Sequence, residues 1–478
     1  MRSYALILLL SLLAQTSLFA AEKPNVLFIA VDDLNCDLSC YGHGLVKSPN
    51  IDRLAKRGVR FEKAYCQYPV CNPSRSSFLT GLYPDQTGVL SNGDDFRNTV
   101  PDVVTLPQHF KKNGYYVARV GKIFHYGVPT QIGTPGDDDP VSWQHVVNPV
   151  GIDKTVEKEG KIHSLKPGSY GGTLSWLRVE SEDAEHTDGI GTAAMIDLLT
   201  EHHPQKTGKP FLLAMGFYRP HTPYVAPAPY FDLYPQASID PVMEKAGDRD
   251  DIPLAALHDR PKQRELTVPE RKEIIQAYYA SITLMDTLVG QLLDSLTKLK
   301  LDQNTIIVFV SDHGYHLGAH GLWQKGDLFE GSCRVPMIIS IPKMKTAGTT
   351  APHVVEMIDL YPTLTELAGL STPEHVMGKS LVPVLRDPEQ SVRDTAFTVT
   401  VSRGPEFRKK YKVKAKGYSL RTDRYRYTEW GEAGKYGREL YDYTQEPDEF
   451  TNLVDSKDHQ AIVNRLATEL RTRQSDQK

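Results

Sequence analysis

Three runs of this chain are apolar almost throughout and then stop at polar residues. NVLFIAV (25–31) runs into Asp32-Asp33, and PFLLAMGF (210–217) and TIIVFVSDHG (305–314) repeat the design, the last carrying Asp312-His313 at its tip. A strand that is apolar at every position, rather than at alternate ones, is buried on both faces, and such strands belong to parallel sheets covered by helices on both sides. Helical patterns lie between them: NIDRLAKRG, LPQHFKKNG, and a stretch from Pro269 to about Lys300. In the last, Ile274, Tyr278, Ile282, Met285, Val289, Leu292 and Leu296 recur at helical spacing. The alternation predicts an α/β fold with a large, mostly parallel sheet sandwiched by helices. Ligands of such folds bind beyond the carboxyl ends of the strands, so the polar strand endings should converge.

At 478 residues the chain has room for this domain and a smaller one. The texture changes after MIDLYPTLTELAGL (357–370) and a Pro-containing linker to about Gln390. AFTVTV, GYSLRTDRYRYTEW and RELYDYTQE are short strand-like runs, followed by a helix at HQAIVNRLATELRTR. The expected division is a catalytic unit over 22–390 and a small α+β unit with an antiparallel sheet over 391–478. Residues 1–21 read as a secretory signal: Arg2, an apolar core too short to span a bilayer, then Ala20-Ala21. The mature protein is expected in the periplasm or outside the cell, with no membrane association after cleavage. A net charge of -4 gives no reason to expect a nucleic-acid partner.

Asp32-Asp33 and Asp312-His313 supply three carboxylates and an imidazole at equivalent strand ends. Hard oxygen donors of this kind favour Ca²⁺ or Mg²⁺ over zinc or copper, although an Asp after a strand commonly caps the next turn instead. The five cysteines are Cys36, Cys40, Cys66, Cys71 and Cys333. An odd number in an exported chain leaves at least one thiol unpaired or chemically converted. Cys71 opens CNPSRSSFLTG, where a helix is expected from near Ser74 to Leu79, so its thiolate would be favoured by a helix N-terminus and by Arg75.

Cys71-x-Pro73-Ser74-Arg75 followed by Thr80-Gly81 resembles the signature of the type I sulfatases. The likeness extends over NVLFIAVDDLN, SPNIDRLAKRGVRFEKAYCQYPVCNPSR, GYYVARVGKIFHYG, GFYRPHTPY, FVSDHGYHLGAHGLWQKGDLFE and GYSLRTDRYRYTEW. Within that family the chain is similar to the iduronate-2-sulfatases. The resemblance implies an alkaline-phosphatase-like fold and conversion of Cys71 to formylglycine by a formylglycine-generating or anaerobic sulfatase-maturating enzyme, which calls for an accessible residue 71. It implies one Ca²⁺ held by Asp32, Asp33, Asp312, His313 and the modified Cys71. Arg75 would steady the formylglycine hydrate, Lys122 and His125 would face the sulfate, and His221 and Lys325 would meet the ester oxygen and protonate the leaving alcohol. The implied substrate is a sulfated carbohydrate, from a polysaccharide or a glycosaminoglycan-like oligosaccharide.

From His125 to about Glu185 the likeness fades, and the loops that set substrate choice cannot be carried over. The run RGPEFRKKYKVKAK (403–416) holds seven cationic side chains. It reads first as a solvated strand edge whose lysines block aggregation, and second as a contact for an anionic chain. Two rival functions share these features: a phosphoester or phosphonate hydrolase of the same superfamily, and a non-catalytic binder of sulfated glycans.

Overall fold

A computed structural model describes residues 23–477; the signal expected over 1–21 lies outside them. The main sheet has eight strands: β1 (Asn25–Val31), β2 (Val59–Tyr65), β3 (Tyr116–Gly121), β4 (His145–Val147), β5 (Phe211–Phe217), β6 (Thr305–Ser311), β7 (Arg334–Ser340) and β8 (Thr349–Glu356). Their spatial order is β8-β2-β7-β6-β1-β5-β3-β4. β7 runs antiparallel to both neighbours and every other pairing is parallel, so the sheet is mixed and mostly parallel.

The helices that cover it are α1 (Pro49–Ala55), α2 (Cys71–Thr80), α3 (Leu106–Lys112), α4 (Thr187–Glu201), α5 (Val268–Lys298) and α6 (Leu360–Leu367). Alternation along β1 explains its unbroken apolar run. Leu27, Ile29 and Val31 share one core with α1, α4 and α5, while Val26, Phe28 and Ala30 share the other with α2, α3 and α6. All seven periodic residues of α5 are fully buried. Its start is fixed by Thr267, whose hydroxyl takes the Glu270 amide hydrogen while the Glu270 carboxylate takes that of Thr267. Among the described residues no helix is long and apolar enough to cross a membrane.

Four further strands, β9 (Ala396–Val401), β10 (Lys416–Arg421), β11 (Tyr425–Trp430) and β12 (Arg438–Asp442), form a separate antiparallel sheet in chain order, accompanied by α7 (Pro405–Tyr411) and α8 (Gln460–Ser475). It is pinned to the larger sheet through buried groups. Thr398 Oγ1 donates to the Cys66 carbonyl at 2.7 Å, and Glu330 takes hydrogen bonds from Arg421, Arg426 and the Tyr65 hydroxyl. The basic run departs from expectation here: Pro405–Tyr411 is a helix rather than a strand edge, since Pro405 at its first turn suits a helix start.

Candidate active site

β6, β1, β5 and β3 stand side by side and parallel, so their carboxyl ends share one edge. β6 hands on Asp312 and His313, β1 hands on Asp32 and Asp33, β5 leads into the turn bearing His221, and β3 into Lys122 and His125. Lys122 is turned inward through a very close approach of two backbones. A Cβ on Gly121, which has φ +71°, would sit 2.2 Å from the Gly216 carbonyl oxygen, and one on Gly216 would sit 2.1 Å from that of Lys122.

α2 brings Cys71 and, one turn later on the same face, Arg75. The helix begins at Cys71 itself, three residues before the expected start, and all ten of its residues are buried. The expectation of an accessible thiol is therefore overturned: Cys71 is 1% exposed, because the N-terminus of α2 abuts the strand tips. Two of its polar side chains bind the strand tips directly. Ser74 donates to the Asp312 carbonyl, and Arg75 donates through Nε to Asp312 Oδ2 at 2.9 Å and through Nη2 to Asp32 Oδ1 at 3.3 Å. Its Nη1 closes on the carbonyls of Lys122 and Ile123 at 2.6 and 3.0 Å.

All of the expected site residues come together. Lys122 Nζ lies 2.6 Å from Asp32 Oδ2, Lys325 bonds Asp33 Oδ1 and lies 3.0 Å from Cys71 Sγ, and His313 Nε2 is 3.4 Å from that sulfur. His221 Nε2 stands 3.8 Å from Asp33 Oδ2. Burial alone would raise the Cys71 thiol, but Lys122, Lys325 and His313 hold it well below its ordinary value. Burial would likewise raise Asp32, and Lys122, His221 and Arg75 instead pull it down. His125 is pushed down by burial, against the pull of the neighbouring Cys71.

The donor set fits a hard divalent cation. Two overlapping groups, Asp32-Asp33-Cys71-His221 and Asp32-Cys71-Asp312-His313, each present ligand atoms within 4.8 Å of one another. Asp33 Oδ2 is buried with no hydrogen-bond partner. His313 Nδ1 sits 2.8 Å from the Gly314 carbonyl, which fixes the proton there and turns the Nε2 lone pair toward the cluster. His221, expected only as a proton donor, stands beside the ligand set as well.

Sequence reasoning missed what holds His221. Arg219 donates to the carbonyls of His221 and Pro223 and pairs with Asp153 Oδ2 at 3.0 Å, while Asp188 accepts the amides of Tyr218 and Arg219 at 2.9 and 2.8 Å. Asp153 comes from the stretch where the family likeness fades, and no local pattern marks an acid that acts on an arginine sixty-six positions later. His316 pairs with Asp327 at 2.9 Å and braces the turn that carries Lys325.

A profile of the family described as Sulfatase matches residues 24–370, and one described as N-sulphoglucosamine sulphohydrolase, C-terminal, matches residues 318–476. The chain is 34% identical over 445 residues to a sulfatase of Formosa agariphila, covering 90% of this chain and 83% of the relative. It is 31% identical over 537 residues to mouse iduronate 2-sulfatase, covering 94% of each. Its fold is similar to that of the phosphonate monoester hydrolase of Agrobacterium radiobacter, with a TM-score of 0.78 at 24% identity over 95% of this chain and 96% of that one.

Proposed function

The chain belongs to the sulfatase family, whose members are sulfuric ester hydrolases, and on that premise we propose that it is an exported, calcium-dependent sulfatase that removes sulfate from a carbohydrate. The observation that carries the reading is the meeting, at one sheet edge, of Cys71 with three carboxylates and the cations Arg75, Lys122 and Lys325.

In this reading Asp32, Asp33, Asp312, His313 and residue 71 hold one Ca²⁺, whose charge would stabilise a sulfate oxygen. A separate maturating enzyme, with its own oxidant, converts Cys71 to formylglycine; the hydrated aldehyde supplies a nucleophilic hydroxyl and a second hydroxyl that later expels sulfate. Arg75 ties Asp32 to Asp312 and keeps the N-terminus of α2 against the strand tips. Lys122 and His125 meet the sulfuryl oxygens, whose charge grows in the transition state. His221 Nδ1 lies 2.7 Å from the Thr222 carbonyl, which leaves Nε2 to carry a proton to the departing alcohol, with Lys325 beside the same oxygen. We assign this chemistry to a unit over 22–390, with 391–478 as the smaller unit.

The test is mass spectrometry of the peptide containing residue 71 in protein co-expressed with a maturating enzyme, together with rates on matched sulfate, phosphate and phosphonate esters. Formylglycine and preferential sulfate release are expected. A faster phosphonate or phosphate ester would replace the reading with the rival hydrolase, and glycan binding without turnover of a fully converted protein would replace it with the binder.

A further inference from the structure

The basic run 403–416 is a sequence feature that the catalytic edge leaves unused. Four of its cations, Arg403, Arg408, Lys414 and Lys416, line a single cleft of about 600 Å³, a volume usual for small-ligand sites. Lys416 is paired with Asp85 at 2.6 Å, but among the described residues Arg403, Arg408 and Lys414 have no carboxylate within ion-pair distance. The facing wall is the Leu90–Asp94 loop, where Asp94 uses its Oδ2 to accept the Leu90 amide hydrogen at 2.9 Å. Three unpaired cations therefore face one hollow.

Both walls are tied to the neighbours of site residues. Asn72, which follows Cys71, donates through Nδ2 to the Asp94 carbonyl at 2.6 Å, and its amide hydrogen goes to Asn92 Oδ1 at 3.2 Å. On the other side Val401 follows Thr400, whose hydroxyl donates at 2.9 Å to the carbonyl of Gly326, the residue after Lys325. Arg403 is also near enough to Arg260 and His258 to act on the charge of each. The cleft thus borders the segments that carry Cys71 and Lys325. Guanidinium groups recognise carboxylate and sulfate through paired hydrogen bonds, and free ones at the edge of a sulfate-ester site would draw in a second anionic group.

We propose that this cleft is an anion subsite that holds a carboxylate or second sulfate on the sugar next to the one being desulfated. The substrate is then a multiply charged oligosaccharide rather than an isolated sulfate ester. This rests on the sulfatase reading, and the test keeps the two apart.

Cys71→Ala protein, which binds without turning over, is titrated by calorimetry with heparin- and carrageenan-derived disaccharides that carry one sulfate, or that sulfate plus a second anionic group. Arg408→Ala/Lys414→Ala in the same background is expected to lose about tenfold or more in affinity for the doubly charged ligands, the worth of one or two charge-assisted hydrogen bonds, and much less for the singly charged ones. Lys409→Ala/Lys410→Ala, which removes two exposed lysines of α7 outside the cleft lining, should change neither. An equal loss on both ligand classes, no loss, or the same loss from the Lys409/Lys410 variant would overturn the subsite while leaving the sulfatase reading intact. If the Cys71→Ala parent binds none of the sulfated sugars, the carbohydrate reading fails and the subsite with it.

Discussion

Arg75 and Lys122 are fully buried at the strand tips and Lys325 is mostly buried beside them, each locked onto a carboxylate, whereas among the described residues Arg403, Arg408 and Lys414 face a cleft with no such partner. The first set has lost its water, and its charge is compensated within the chain, so it can hold a geometry. The second keeps its solvent and its charge, so it is free to meet an anion from outside but cannot fix a shape. Chemistry that needs atoms placed to a fraction of an ångström belongs with the first set, and recognition of a flexible, charged chain belongs with the second.

The strongest way to break this contrast is Cys71→Ala. Sulfate release should fall on the order of 10⁴-fold or more, because the proposed nucleophile derives from residue 71, while circular dichroism shows a folded protein. Retained activity would mean that the locked cations do not serve residue 71. Next comes the metal. Dialysis against a chelator should abolish activity and lower the thermal midpoint, and Ca²⁺ should restore both; at a hundredfold excess over its dissociation constant the ion would contribute about 2.7 kcal/mol of stability.

A third test asks whether compensated burial also joins the two sheets. Glu330→Gln leaves Arg421 and Arg426 without their shared carboxylate and should destabilise by about 3–5 kcal/mol in urea unfolding. The same group gives a pH signature. Burial would raise Glu330, but Arg421, Arg426 and Arg334 lower it from 4.5 to about 2, so its contribution is complete above the unfolded value and is lost as pH falls from about 4.5 toward 2. His258 acts at higher pH. Burial depresses it from 6.5 to about 4, so the folded state excludes its proton and stability falls as pH drops through that window. Acid titration of the wild type should show both losses, and Glu330→Gln only the upper one. The smallest effect is on salt. Between 50 and 300 mM NaCl, KM should rise more for a multiply charged oligosaccharide than for a small aryl sulfate, since exposed cations are screened and buried ones are not.

The residues that form the strand tips were legible because a buried parallel strand must be apolar throughout, so its first polar residues stand out as Asp32-Asp33 and Asp312-His313. α2 was only half legible. Its motif marked Cys71 and Arg75, but a helix of polar residues carries no sign that all ten are buried, since that depends on partners at the strand tips. Asp153, Asp188 and Arg219 gave no signal, because a buried network over sixty-six positions has no local period.

Taken alone, the sequence determined the layered α/β fold, the identity of the residues at the sheet edge and their family, all of which follow from local pattern and motif. Only the tertiary structure decided which cations are neutralised and which remain free. Charge compensation depends on distance between side chains, and a chain does not write that distance into its order of residues.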